Sequence, residues 1–365
     1  MGSIYVRTAE DADHEQVRNL SARCPQEGMI TFFVDRTPRF NTLHRILDPE
    51  AWHLVACREE KVIGLVGVVQ FRANVLGTTR KVGYLLDLRL DKAYRGGTTA
   101  YRLIKAAVDR IFQSDIDMIV ANFIKDNKRS LIFTSGRGGL PAGFHLGDNR
   151  VFNLLPLFYM KPDHRFEIAK PSENEIPEIL EIYNKYAGDY KIAPEMTENV
   201  FRNYLNSIEG LSADHFLIAR ENGKIKAVTA LWDEHTYKAY QVLRLNPGIR
   251  MVNGLLKFLS HFRRVPQPLR LNEPLRQLSL VLFAHDNCPE ALETLFRHVN
   301  NISLGSHYTL TMVYAQEHDP VFRILKKFRG VSVQSEMYLF AKDQEVYNKL
   351  RENYAPVLFD LSMLT

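Results

Sequence analysis

Cysteine is scarce in this 365-residue chain: Cys24, Cys57 and Cys288 are the whole set, odd in number and widely separated. That excludes a disulfide framework and the paired spacing of a zinc site, so a reducing, cytoplasmic setting and no bound metal are expected. Long apolar runs are missing as well, and no stretch approaches the roughly 18 consecutive apolar residues of a membrane span. The N-terminus lacks the charged-then-apolar pattern of a leader, and Met1-Gly2-Ser3 is followed by Val6 where a myristoylation start would need a hydroxyl residue. No G-K-[ST] phosphate loop and no strand-adjacent G-x-G-x-x-G turn occurs. Recognition-helix, zinc-finger and aromatic RNA-binding patterns are also absent, so no nucleic-acid partner is expected.

What is present describes a folded globular protein, with 45% apolar and 24% charged residues and ordinary glycine and proline. The length predicts two domains. Lysine and arginine (47) outnumber aspartate and glutamate (42), giving a net charge of +5 that favours anionic partners.

Apolar spacing predicts a strand at Ile4–Arg7 and a helix over Asp11–Cys24. An antiparallel meander over Trp52–Cys57, Val62–Phe71 and Val82–Leu90 follows, then a helix from Ala100 to Phe112, a strand at Ile116–Ala121 and a short helix at Asn127–Thr134. The pattern breaks near Lys161-Pro162-Asp163, and the same order then recurs. Strand Phe166–Ala169, helix Ile176–Tyr186 and strands Phe216–Arg220, Ile225–Trp232 and Leu278–Ala284 lead into helix Pro289–Val299. Strand Tyr308–Tyr314, helix Pro320–Phe328 and strand Val331–Phe340 complete it. One plan used twice predicts an α+β, mixed α/β chain of two tandem domains, 1–160 and 161–365, each a twisted and mostly antiparallel sheet flanked by helices.

The stretch that carries chemistry runs from Tyr84 to Ala100. A strand enters the turn Arg95-Gly96-Gly97-Thr98-Thr99 and a helix starts at once, so free backbone N–H groups and the positive end of the helix dipole face an anion. Arg80, Lys81, Arg89, Lys92, Arg95, Arg102 and Lys105 surround it, against Asp87 and Asp91. By itself a Gly-Gly turn is more often a plain surface turn; the meander ahead of it is what favours a binding role.

That combination resembles the GNAT superfamily, the Gcn5-related N-acetyltransferases, whose acyl-CoA motif is [RQ]-x-x-G-x-[GA] after the fourth strand. Arg95 takes the first position and Ala100 the last, while Thr98 replaces the middle glycine. The resemblance implies acetyl-CoA or a longer acyl-CoA as co-substrate, an amine acceptor and N-acyl transfer. It implies binding by the backbone of Leu88, Arg89 and Leu90, by Arg95, Gly96, Gly97, Thr98, Thr99 and Ala100, and by Asn127 at the start of the next helix. The family's leaving-group tyrosine falls on Thr134. The second half resembles a further copy of the fold, whose turn at His285-Asp286-Asn287-Cys288 has no glycine and puts Asp286 and Glu290 where a pyrophosphate would be repelled.

Acyl transfer needs a base for the amine, a donor for the oxyanion and a proton for the thiolate. Asp87 is the first candidate base, since burial beside the thioester would raise its pKa; an ion pair with Arg89 or Arg95 is the equal alternative. His145 and Tyr84 are the other catalytic candidates, and proton release to solvent remains open. In the tandem N-myristoyltransferases, which this architecture resembles, the terminal carboxylate is the base, which would be that of Thr365, although packing of an apolar tail is the simpler account of Leu358–Thr365.

One helix stands apart. Met251–Phe262 is amphipathic and basic, with Leu255, Leu256, Leu259 and Phe262 on one side and Arg263, Arg264 and Arg270 beyond. Peripheral contact with an anionic bilayer or a lipid acceptor is one reading, and packing on its own domain the favoured one. The expectation is therefore an N-acyltransferase, most simply an N-acetyltransferase. The alternatives are a long-chain acyltransferase acting on a lipid-borne amine and a non-catalytic acyl-CoA-binding scaffold.

Overall fold

The computed structural model describes residues 3–125, 127, 131–342, 344–360 and 363. The first half runs β1 (Ile4–Thr8), α1 (His14–Arg23), β2 (Ile30–Arg36), α2 (Thr42–Leu47), β3 (Trp52–Arg58), β4 (Lys61–Val75), β5 (Thr78–Leu90), α3 (Thr99–Gln113), β6 (Met118–Ile124) and β7 (Phe144–Leu154). The second runs β8 (Glu167–Ala169), α4 (Ile176–Ala187), β9 (Ile192–Pro194), α5 (Glu198–Ser207), β10 (Phe216–Glu221), β11 (Lys224–Trp232), β12 (Lys238–Leu245) and α6 (Pro247–Leu259). It continues with β13 (Gln277–His285), α7 (Pro289–Ser303), β14 (Leu310–Gln316), α8 (Val321–Leu325), β15 (Gly330–Ala341) and α9 (Gln344–Glu352). The predicted mixed α/β class is the observed one; β2, α2, β9, α5, β12 and α9 were not foreseen, and most ends of the other elements are displaced by a few residues.

Among the described residues, thirteen strands form a single sheet in the order β1-β3-β4-β5-β6-β15-β7-β14-β13-β11-β10-β8, with β9 added beside β4. Only β5·β6 and β13·β14 are parallel pairs. The last strand of each half sits beside the other half: β15 pairs with β6, β7 pairs with β14, and β15 and β7 pair with each other at the centre. The expected units 1–160 and 161–365 thus share one sheet through exchanged strands rather than closing two. Gly330 is required at this junction, because a Cβ there would collide with the Asn153 carbonyl.

Hydrophobic burial explains the layers. Helix α3 lays Leu103, Ile104, Ala107, Val108 and Ile111 on one face of the first-half strands, while α1 lays Val17 and Leu20 on the other. A larger core around Ile179, Phe216, Trp232, Leu280 and Phe296 holds the second half. Strands β2 and β12 make a separate two-stranded ribbon that joins the halves and sets Lys238 opposite Arg36. Among the described residues no helix is long and apolar enough to cross a membrane, and no group of three or more His, Cys, Asp or Glu side chains could hold a metal ion.

Candidate active site

Strands β5 and β6 run in parallel register only from Val82–Met118 to Leu85–Ala121, and then part. Two residues past the last pair, Asp87 takes a positive φ of 53°, and the register against β4 shifts between Leu65 and Gly67, which marks a β-bulge. A bulge turns the strand and frees its backbone groups from the ladder. The edge of β5 from Leu86 to Leu90 therefore faces the opening with no strand beside it, and Leu88, Arg89 and Leu90 lie where acyl-CoA contacts were expected.

At the mouth of this opening the chain turns through Arg95, Gly96, Gly97 and Thr98, all exposed. Gly96 has φ +90°, a conformation that side chains disfavour, and a Cβ on either glycine would meet nothing within 4 Å. Thr98 caps α3 without a side-chain hydrogen bond, so the hydroxyl is not used to satisfy the first-turn N–H groups, and Thr99 and Ala100 follow as the first helical residues. The Arg95 side chain folds back, its Nε donating to the Leu90 carbonyl at 3.0 Å. Open space, free amides and a helix N-terminus suit a pyrophosphate. Asn127 is exposed and receives Leu131 N–H at 3.4 Å, while only Ile132–Thr134 of the expected helix is described as a 3₁₀ turn.

Asp87 corrects the expected base. Its side chain is 9% exposed and lies 2.8 Å from Arg36 Nε and 3.3 Å from Arg89 Nη2. Burial alone would raise its pKa, but Arg36 and Arg89 outweigh burial and hold the carboxyl far below the usual range, so it is ionised throughout neutral pH. Arg36 comes from the β2 end of the ribbon. Its Nη1 and Nη2 are buried and have no hydrogen-bond partner, beside a cleft lined by His14, Arg18, Ser21, Phe40 and Asp87. Behind Asp87, His44 Nδ1 and His53 Nε2 lie 3.0 Å apart; burial lowers both pKa values, that of His53 to about 4, so both rings are neutral. Gly67 makes room for them, since a Cβ there would stand 2.7 Å from His53.

The other two candidate bases lie elsewhere. Tyr84 is 1% exposed on the sheet face away from α3, packed toward Phe359, and burial pushes its phenol far above the ordinary range. That removes it from proton transfer. His145 stands in a row across four strands, Leu85–Ala121–Tyr338–His145, so β6 and β15 separate it from β5 by three strand spacings, about 14 Å. There it contacts Asp148 at 2.9 Å and the edge of the Tyr338 ring. Asp87, Tyr84 and His145 are thus not one constellation.

Sequence reasoning missed Arg36, His44, His53 and Tyr338. The β-rich run Ile30-Thr31-Phe32-Phe33-Val34 was a legible signal for β2 and so for Arg36. Tyr338 gave none, because it reaches β6 only through strand exchange. Its hydroxyl lies 3.1 Å from Glu336 and within hydrogen-bond reach of Thr134, and burial and Glu336 push its pKa up to about 12.

The second half repeats the parting. Strands β13 and β14 stay in register to Leu280–Val313, and two residues later Leu282 has φ +50° at a register shift. This opening is filled by the chain's own tail. Val357 N–H donates to Gln316, Phe359 is 1% exposed, and Leu282 N–H donates to Asp360. At the helix start Asp286 pairs with Lys185 and Lys226. Thr365 lies outside the described residues.

The sequence model of the Acetyltransferase (GNAT) family matches residues 14–138, the segment that holds the parted strands and the glycine turn. Two structures of Saccharomyces cerevisiae N-myristoyltransferase with bound myristoyl-CoA share the fold at a TM-score of 0.62. One is 14% identical, covering 93% of this chain and 79% of that chain; the other is 12% identical, covering 93% and 83%. A GCN5-related glucosamine N-acetyltransferase region of a fungal multi-domain GH3 β-N-acetylglucosaminidase aligns at a TM-score of 0.60 and 12% identity, over 93% of this chain and 38% of that chain. No curated protein matches the sequence. The GNAT-like fold accordingly extends over nearly the whole chain.

Proposed function

We propose that the protein is an acyl-CoA-dependent N-acyltransferase working from its first half. The observation that carries this is the parting of β5 from β6 at the Asp87 bulge, directly ahead of the open glycine turn on α3. Backbone N–H groups on the freed edge of β5 polarise the thioester carbonyl as the acceptor nitrogen adds to it. Asp87 holds Arg36 and Arg89 in place beside the opening, and the acceptor amine gives one proton to solvent before attack and a second as the tetrahedral intermediate collapses. When the C–S bond breaks, the protonated Tyr338 phenol hydrogen-bonds the departing thiolate in place of the tyrosine absent at Thr134.

The unpartnered nitrogens of Arg36 favour an acceptor that carries an anionic group beside its amine, since a buried guanidinium left unsatisfied is costly and a carboxylate would complete it. The donor is acetyl-CoA or a longer acyl-CoA; the yeast enzyme of the same fold binds myristoyl-CoA, which supports including long chains.

Calorimetric titration with acetyl-CoA and myristoyl-CoA tests the reading, beside Gly97→Glu, whose new side chain meets no neighbour but puts a charge against the pyrophosphate. Binding weakened about tenfold or more by the variant is expected. A folded wild type that takes up neither donor would overturn the proposal.

A further inference from the structure

Helix α6 was expected to pack its apolar side on its own domain, and it does so only in part: Leu256 is buried and Ile249 packs on the Val242–Leu275 cluster. Asn246 caps it by accepting from Ile249 N–H, Pro247 starts it, and its only buried residue is Leu256. Met251, Leu255, Phe258 and Phe262 instead form a stripe along one side, 75%, 55%, 62% and 74% exposed. The patch continues past the helix: Arg263 lies over the ring of Phe158, which is itself exposed together with Tyr159. Isolated exposed apolar side chains are ordinary, but a contiguous stripe of this size marks a contact surface.

Charge identifies the partner. From Pro247 to Asn272 the chain carries Arg250, Lys257, Arg263, Arg264 and Arg270 and no aspartate or glutamate. The nearest acid in sequence, Glu273, pairs with Arg270 at 3.5 Å. A second copy meeting this face across a two-fold axis would set these cations against themselves, which opposes self-association. An apolar stripe flanked by cations is the pattern of a helix that lies in a bilayer interface, with rings among the acyl chains and arginines among anionic headgroups.

We infer that α6 and the adjoining Phe158–Tyr159 segment form a docking surface for an anionic phospholipid bilayer. The inference is independent of the acyl-transfer reading, because it rests on no residue of the candidate active site. Docking would hold the protein at the surface without a membrane-spanning element.

The test is sedimentation of the full chain with phosphatidylcholine vesicles and with vesicles containing 30 to 40% phosphatidylglycerol, roughly the charge density at which polybasic segments bind. Binding to the anionic vesicles, weakened by salt, is expected. Phe258→Ser with Phe262→Ser should lower the partition coefficient about tenfold or more, and Arg263→Glu with Arg264→Glu should do the same. These side chains are exposed, so circular dichroism and melting should be unchanged. A monomer that binds neither vesicle overturns the inference. So does a self-association, seen by light scattering, that the serine variant abolishes without any vesicle binding, because the stripe's occupant would then be a second copy.

Discussion

Leu282 donates its backbone N–H to the Asp360 carboxylate at 3.3 Å, at the position in the second half that Asp87 holds in the first. The two bulges are the same piece of backbone geometry, one facing an opening and the other closed by the C-terminal tail. With Phe359 buried between Phe71 and Tyr84, the tail also ties the second opening to the first-half sheet.

One consequence is stoichiometric. Acyl-CoA should bind once per chain, at the first-half turn, since the second opening is filled and its helix start carries Asp286. Calorimetry of the wild type with either donor checks this, and two equivalent sites would show that the tail does not close the second half.

Arg36→Met should destabilise the fold by about 3 to 5 kcal/mol, because Asp87 would be left as a buried charge with Arg89 alone. Adding Asp87→Asn should recover most of that loss, as read by urea unfolding. In activity, the acid limb of kcat/KM should follow the acceptor amine's own ionisation. A limb that moves with Asp87→Asn rather than with the amine would restore Asp87 as a titrating base.

Tyr338→Phe should lower kcat by about 100-fold while leaving the acyl-CoA Kd unchanged, because the phenol is assigned to the thiolate and not to binding. Rapid-quench measurement should place the defect in the acyl-transfer step. A variant with wild-type kcat would leave the thiolate to solvent.

Asp319 gives a pH signature. Burial raises its pKa to about 6, partly offset by hydrogen bonds from Tyr190, Val321 and Tyr186. The folded state therefore holds a proton that the unfolded state, with an ordinary carboxyl near 3.8, has released over that interval. This contribution is full below about pH 4 and is lost as pH rises through about 6, a change of about 3 kcal/mol. Asp319→Asn should remove it. The difference between variant and wild-type stability should move in the variant's favour from pH 4 to pH 7, measured by thermal or urea unfolding at each pH. No change in that difference would show that Asp319 titrates normally.

The meander, the glycine turn and α3 could be read in the sequence because each is a local pattern: alternation for strands, 3.6-residue spacing for the helix, and glycine where φ is positive. The state of Asp87 could not, because an Asp flanked by apolar residues reads as a desolvated carboxyl, and its partner Arg36 lies 51 positions away in a strand of a separate ribbon. The exposure of α6 was misjudged by the same limit: periodicity shows that a helix has an apolar side, not what that side meets.

The mixed α/β class and the turn at Arg95–Thr99 ahead of α3 were already written in the sequence, because both follow from neighbours within a few residues. Only the tertiary structure decided which strands each half keeps, which carboxylate is paired and which opening is filled. Those outcomes depend on exchanged strands and distant side chains meeting in low dielectric. There the energy of a charge or an unpaired backbone group is set by what surrounds it and not by its place in the chain.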